Sequence, residues 1–238
     1  MFDFSGKVAL VTGVGRAGQI GNAVALAFGQ AGAAVIACDL NAVAVAERVR
    51  EFQARGIAAC PAAGDLTQPD VAALAVEMAM RHFGRLDIVV NVAGGLTTYG
   101  PVGGTTVEDF DREFAINVKT AFFVSQAAIP ALTLTEGVIV NVASIAYVHP
   151  QSPMAAYSAA KAAVAGLTRS LALELRPLRI RVNAVAPAMV RTTDNVASVG
   201  ADAQYVELHH ITDAILFLAS PAAAVITGHI LPITRGRL

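Results

Sequence analysis

Tryptophan is missing from this sequence, cysteine occurs twice, and Lys, Arg, Asp and Glu together make up only 15% of its 238 residues. Each shortage excludes something. Cys38 and Cys60 have neither zinc-type nor redox-motif spacing and are too few for a disulfide framework, so they read as buried thiols in a reducing, cytoplasmic compartment. Seventeen Lys and Arg against eighteen Asp and Glu give a formal net charge of -1 with no long basic run. That balance lacks the electrostatic footprint of a nucleic-acid or anionic-membrane binder and points to a small-molecule partner. The most apolar stretches, Ala23 to Cys38 and Ala155 to Leu173, are too short for a bilayer span or are broken by Gly29, Gly32 and Lys161. No membrane segment is expected, and the opening Met-Phe-Asp-Phe-Ser-Gly-Lys lacks the basic start of a secretory signal. None of the five histidines has a carboxylate or thiol at ligand spacing, His209 and His210 being adjacent and expected to point apart, so no metal site is predicted.

What is present is apolar: 55% of the chain is hydrophobic, enough for a sizeable core. The runs Lys7–Thr12, Ala33–Cys38, Ile57–Ala62, Leu86–Asn91, Val138–Val142, Ile180–Val185 and His229–Ile233 read as strands. Between them, helical periodicity covers Ile20–Ala31, Ala42–Arg55, Val71–Phe83, Val107–Leu134, Ala155–Leu175 and Ile211–Ala219. The strands are continuously apolar rather than alternating, which predicts a parallel sheet covered on both faces. The chain is therefore read as one α/β domain over residues 1–238, doubly wound and Rossmann-like.

Gly13-Val14-Gly15-Arg16-Ala17-Gly18 follows the first strand and precedes the first helix. Glycines there allow a tight turn and close approach of a pyrophosphate to the helix N-terminus. In an Ala/Gly-rich chain they can also be packing glycines. Asp39, ending the second strand, is placed to accept hydrogen bonds from a ribose, and with it the dinucleotide reading prevails.

Tyr157 and Lys161 stand one helical turn apart on one face. An ammonium beside a phenol favours the phenolate, so Lys161 is expected to lower the Tyr157 pKa. Alone, the pair fits a half-buried tyrosine beside a snorkelling lysine better. Ser144, directly after the strand Val138–Val142, shifts the balance, because the carboxyl ends of the strands face the ligand crevice. It lies in Val-Ala-Ser-Ile-Ala, not Gly-x-Ser-x-Gly, which disfavours an esterase.

These residues, with Thr12-Gly13, Ile20-Gly21, Asp65-Leu66-Thr67, Asn91-Val92-Ala93-Gly94, Asn117, Pro187 to Thr192 and Ile226-Thr227-Gly228, resemble the short-chain dehydrogenase/reductase family in its single-domain form, nearly end to end. The resemblance implies a seven-stranded, mostly parallel sheet and a catalytic tetrad of Asn117, Ser144, Tyr157 and Lys161. Asn117 would hold a water linking Lys161 to solvent. It implies a cofactor site formed by Gly13, Gly15, Arg16, Gly18, Gln19, Ile20, Asp39, Leu40, Asp65, Leu66, Asn91, Ala93, Gly94, Tyr157, Lys161, Pro187, Val190 and Thr192. Four departures stand out: six residues rather than four between Thr12-Gly13 and Ile20-Gly21, Ala188 in place of glycine after Pro187, a short lid from Thr192 to Ile211, and Ile233-Thr234-Arg235-Gly236 in place of an Asp-Gly-Gly turn.

The function expected is hydride transfer between a nicotinamide cofactor and a secondary alcohol or ketone. A 3-oxoacyl thioester reductase and a non-catalytic dinucleotide-binding sensor or scaffold are the alternatives. Asp39 and Leu40 favour NAD, whereas Arg16 could serve the 2′-phosphate of NADP. Leu96, Ala146, Tyr147, His149, Met154, Met189 and Tyr205 are expected to neighbour a mostly apolar substrate pocket. Arg176, Arg179 and Arg181 read as a solvated helix end and strand edge. Surplus apolar surface on Val107–Leu134 and Ala155–Leu175, together with the resemblance, predicts a homotetramer.

Overall fold

The computed structural model describes residues 2–236. Its centre is β1 (Val8–Thr12), all of whose residues are buried because apolar side chains project from both faces. On one side of it lie β2 (Ala34–Asp39) and β3 (Ala59–Ala63). On the other lie β4 (Ile88–Asn91), β5 (Val138–Val142), β6 (Arg181–Pro187) and β7 (Ile230–Ile233). The order is β3-β2-β1-β4-β5-β6-β7, and every neighbouring pair is parallel, with Leu10 opposite Ile36 on one side and Val89 on the other. Strand order reverses between β1 and β4, which opens a crevice at their carboxyl ends.

Both faces are covered. On one, α1 (Ile20–Gln30), α2 (Ala42–Ala54) and α8 (Leu208–Ala219) bury Val24, Phe28, Val49, Phe52, Ile211 and Ile215. On the other, α3 (Pro69–Phe83), α5 (Thr120–Thr135) and α6 (Ala155–Glu174) bury Val76, Val124, Leu132 and Leu171. The two thiols lie in this second layer, where burial pushes both pKa values up and leaves little nucleophilic thiolate.

Several expected boundaries move for identifiable reasons. The third predicted helix starts two residues early because Pro69 is tolerated at its first position. The last starts at Leu208, where Glu207 and His210 form a reciprocal capping box. The predicted helix Val107–Leu134 is α4 (Val107–Phe114) joined to α5 through a π-turn at Ala115–Lys119. The whole run is long and apolar enough to cross a bilayer, yet α5 sets its apolar face against α3 and β4. A short helix, α7 (Thr193–Val199), was not expected at all.

Two readings need correction. His209 and His210 do not point apart: their ring centroids are 4.0 Å from each other, since His210 turns back to accept the Glu207 backbone N–H. Arg181 is no solvated edge. It donates to the carbonyls of Leu218 (2.7 Å), Ala219 and Ser220, satisfying acceptors that the last turn of α8 leaves open. Arg179 pairs with Glu136 at the surface.

Candidate active site

At the β1 end of the crevice the glycines leave room that side chains would fill. Gly13 (φ +73°) lies so close to Ala93 that an added Cβ would sit 3.2 Å from its Cα. A Cβ on Gly15 would meet the Asp39 carboxyl carbon at 2.7 Å. Asp39 accepts the Gly15 N–H at 2.7 Å through one oxygen and the Asn41 N–H at 3.0 Å through the other. Its carboxylate is thus fixed at the strand end, while Leu40 beside it is exposed. The six-residue glycine segment reaches across to α7: Arg16 pairs with Asp194, Gln19 donates to the Thr193 hydroxyl at 2.6 Å, and Thr193 N–H donates to Gly18 O at 3.2 Å. Arg16 is therefore engaged with a carboxylate. Ile20 begins α1, so Gly18 and Gln19 lie just before its N-terminus.

The next loop is tied down by Thr12, whose hydroxyl accepts the N–H groups of Val92 (2.9 Å) and Ala93 (2.8 Å). Gly94 (φ +134°) adopts a conformation open to glycine, and a Cβ there would strike Asn117 Oδ1 at 2.5 Å. Two expected cofactor residues turn their side chains elsewhere. Asn91 donates to Asn141 Oδ1 (2.8 Å) on the neighbouring strand and to Ser125 Oγ (3.0 Å) on α5. Leu66 is buried in the α3 layer, which leaves backbone atoms of these two residues for a ligand. Asp65, exposed, accepts the Thr67 N–H, and this bond holds its carboxyl below the usual range. Pro187 ends β6, Val190 forms a bridge with Val206, and Thr192 caps α7 by accepting the Asn195 N–H.

Across the crevice, β5 presents Ser144 and α6 presents Tyr157 and Lys161. Ser144 starts a 3-10 turn, its hydroxyl accepting the Ala146 N–H at 3.2 Å, and it lies near enough to the Tyr157 phenol to favour its ionised form. Lys161 is buried and donates to Val142 O at 2.9 Å, with Nζ 5.8 Å from the Tyr157 ring centre. Burial lowers the Lys161 pKa to about 8, opposed by the charge of Glu113. The expected lowering of Tyr157 is not found in this arrangement. Burial pushes the phenol up, the nearby Ser144 hydroxyl pulls it down, and Glu113 adds to the rise; the ammonium is turned to a backbone carbonyl rather than to the phenolic oxygen.

Asn117 lies on the π-turn, a helical irregularity frequent at functional sites. Its Nδ2 donates to Gly95 O (2.9 Å), Glu113 O (2.9 Å) and Glu113 Oε1 (3.0 Å), and its Oδ1 accepts the Gly95 N–H. The side chain locks the loop after β4 rather than bonding to Lys161. Sequence reasoning missed Glu113, which is fully buried although it reads as one more charge on a polar helix; its four-residue spacing to Asn117 was the available signal. Of the expected pocket neighbours, Leu96, His149 and Met189 are exposed and Ala146 is buried. Tyr205 is no pocket wall: it is fully buried and donates to Gly200 O at 2.6 Å, holding the return from α7.

Comparison with known proteins agrees with this geometry. The family model for short chain dehydrogenases matches residues 7–204. The 7α-hydroxysteroid dehydrogenase of Escherichia coli K12 is 34% identical over 97% of this chain and 94% of its own. A 3-oxoacyl-[acyl-carrier-protein] reductase of Thermotoga maritima is 33% identical over 97% of each. Among solved structures, a 7α-hydroxysteroid dehydrogenase complexed with NADH and 7-oxo glycochenodeoxycholic acid superimposes with a TM-score of 0.91 at 32% identity, covering 99% of this chain and 96% of the other. With the family model spanning most of the domain and the glycine crease, Ser144, Tyr157 and Lys161 gathered at one end of the sheet, the chain belongs to the short-chain dehydrogenase/reductase family of oxidoreductases, dehydrogenases that act on CH–OH groups.

Proposed function

We propose that the protein interconverts a neutral, rather hydrophobic secondary alcohol and its ketone, using NAD in preference to NADP. The observation that carries this is the convergence of Ser144, Tyr157 and buried Lys161 at the carboxyl end of β5. A bound nicotinamide supplies the hydride acceptor or donor. The glycine crease, Ala93 and the segment from Pro187 to Thr192 fit such a group, and Asp39 would receive its ribose hydroxyls. Tyr157 gives a proton to the substrate oxygen or takes one from it, Ser144 hydrogen-bonds the same oxygen as charge develops, and Lys161 places a positive charge beside them. Asp39, fixed by two backbone N–H groups, opposes a 2′-phosphate, while Arg16 is paired with Asp194 instead of free to receive one.

Thioester reduction is a second reading, favoured by the acyl-carrier-protein reductase among the relatives. The test is a panel of cyclohexanol, 2-octanol, cholate and acetoacetyl thioester with each nicotinamide, followed by near-ultraviolet absorbance. NAD-linked turnover of an alcohol, lost by about 10² or more in Tyr157→Phe, is expected. Near-normal rates in that variant refute the assignment, and tight cofactor binding without turnover of any panel member indicates a sensor. Exposed Val107, Phe110, Phe122, Leu134 and Leu173 on α4, α5 and α6 support a homo-oligomer, a tetramer by resemblance. Light scattering that gives a single-chain mass refutes it.

A further inference from the structure

Glu113 is 0% exposed, yet it makes no ion pair among the described residues. A carboxylate so placed stays only where its oxygens are satisfied. One oxygen, Oε2, accepts the Thr97 N–H (3.0 Å), the Thr97 hydroxyl (2.6 Å) and the Thr98 N–H (2.9 Å). The other, Oε1, accepts Asn117 Nδ2 at 3.0 Å. Asn117 in turn holds both the N–H and the C=O of Gly95. One side chain thereby fastens the loop Gly95–Thr98, the π-turn and α4 to one another, and α4 packs on the helix that bears Tyr157 and Lys161.

Resting on the oxidoreductase reading above, we propose that Glu113 is a positioning residue: it pins the loop after β4 and the Asn117 amide as one rigid wall of the crevice and sets a buried negative charge beside the Tyr157–Lys161 pair. Other charged or titratable groups on the elements packed against α6 are Glu108, Asp109, Asp111 and Arg112 on α4, Lys119 on the π-turn, Tyr147 after Ser144, Arg176 beyond α6, and Arg181 on β6. None of these is fully buried, and Arg181 is turned to the end of α8. On α6 itself Arg169 and Glu174 lie more than two turns beyond Lys161. Glu113 is the charge that acts on both Tyr157 and Lys161, in the direction that keeps each protonated.

The test needs no substrate. Phenolate absorbance is titrated in the unmodified chain and in Tyr157→Phe, and their difference isolates Tyr157; the same pair is compared in the Glu113→Gln background. Removing the charge should move the Tyr157 midpoint acid-ward. With cyclohexanol and NAD, the rising limb of kcat/KM should move with it. An unchanged midpoint in folded Glu113→Gln overturns the proposal. A shifted midpoint in a chain that turns over no panel substrate overturns the proposed secondary-alcohol reading and leaves the role of Glu113 standing. If Glu113→Gln does not fold, Thr97→Val decides: it removes one donor to Oε2 and keeps the charge. Exchange of the backbone amides at positions 97 and 98 should then quicken about tenfold with the Tyr157 midpoint unmoved; unaltered exchange overturns the pinning, and a moved midpoint overturns the assignment of the charge effect to Glu113.

Discussion

Replacing Lys161 by methionine should stabilise the fold at neutral pH while abolishing turnover. The ammonium is buried and its pKa falls from 10.5 to about 8. Each pH unit of difference between folded and unfolded states is worth 1.36 kcal/mol, so holding the charged form inside costs about 3 kcal/mol. Methionine has nearly the same length and no charge, but it forfeits the bond to Val142 O, worth ~1 kcal/mol. The net expectation is a gain of about 2 kcal/mol at pH 7. Below pH 8 both states bind the proton and the penalty is complete. Between pH 8 and 10.5 the native chain has lost the proton that the unfolded chain retains, so the wild type gains stability with rising pH, and the advantage of the variant disappears and then reverses by about 1 kcal/mol, the worth of the Val142 bond. Cys38 and Cys60 act oppositely above about pH 9, because their thiols ionise more readily once unfolded. They are common to both proteins, so the quantity to plot is the difference in urea-unfolding free energy from pH 6.5 to 10.5. A variant less stable than wild type at pH 7, or a difference independent of pH, refutes the reasoning.

Gly15→Ala should raise the KM for NAD about tenfold, because its Cβ would displace the Asp39 carboxylate and break a charge-assisted bond of ~1.5–3 kcal/mol; kinetics at saturating alcohol measure this. Asp39→Ala should narrow the ratio of kcat/KM for NAD over NADP, and an unchanged ratio removes Asp39 from cofactor choice. Arg181→Met should lower stability by about 2 kcal/mol in urea titrations, since it leaves carbonyls at the end of α8 unpaired. With the Tyr157 phenol pushed up by burial, ketone reduction should be level across neutral pH and fall at high pH, while alcohol oxidation rises over that range.

The sheet was legible because its strands are apolar on both faces and end in Gly13, Asp39 or Asn91, so period and punctuation agreed. The α7 helix was not: Thr193–Val199 buries no residue, and a helix without a buried face leaves no apolar period. The π-turn was hidden for the opposite reason, since apolar residues continue through it. At the site, the spacing of Tyr157 and Lys161 placed both on one face, but the acceptor of the Lys161 ammonium is a backbone carbonyl, which any residue could supply. Arg16 showed its charge in the sequence without its partner, because Asp194 lies 178 residues away.

The π-turn also divides the molecule mechanically. Before it, α4 buries a single side chain, Glu113, and that side chain is attached to the loop after β4. Beyond it, α5 buries seven residues, most of them against the sheet and α3. The first helix is therefore tied to the loop and to α6, the second to the sheet and α3, with the wide turn between them. Because one side chain joins the two segments, the amides of α4 and of Thr97–Thr98 should exchange with solvent as one set, ahead of α5.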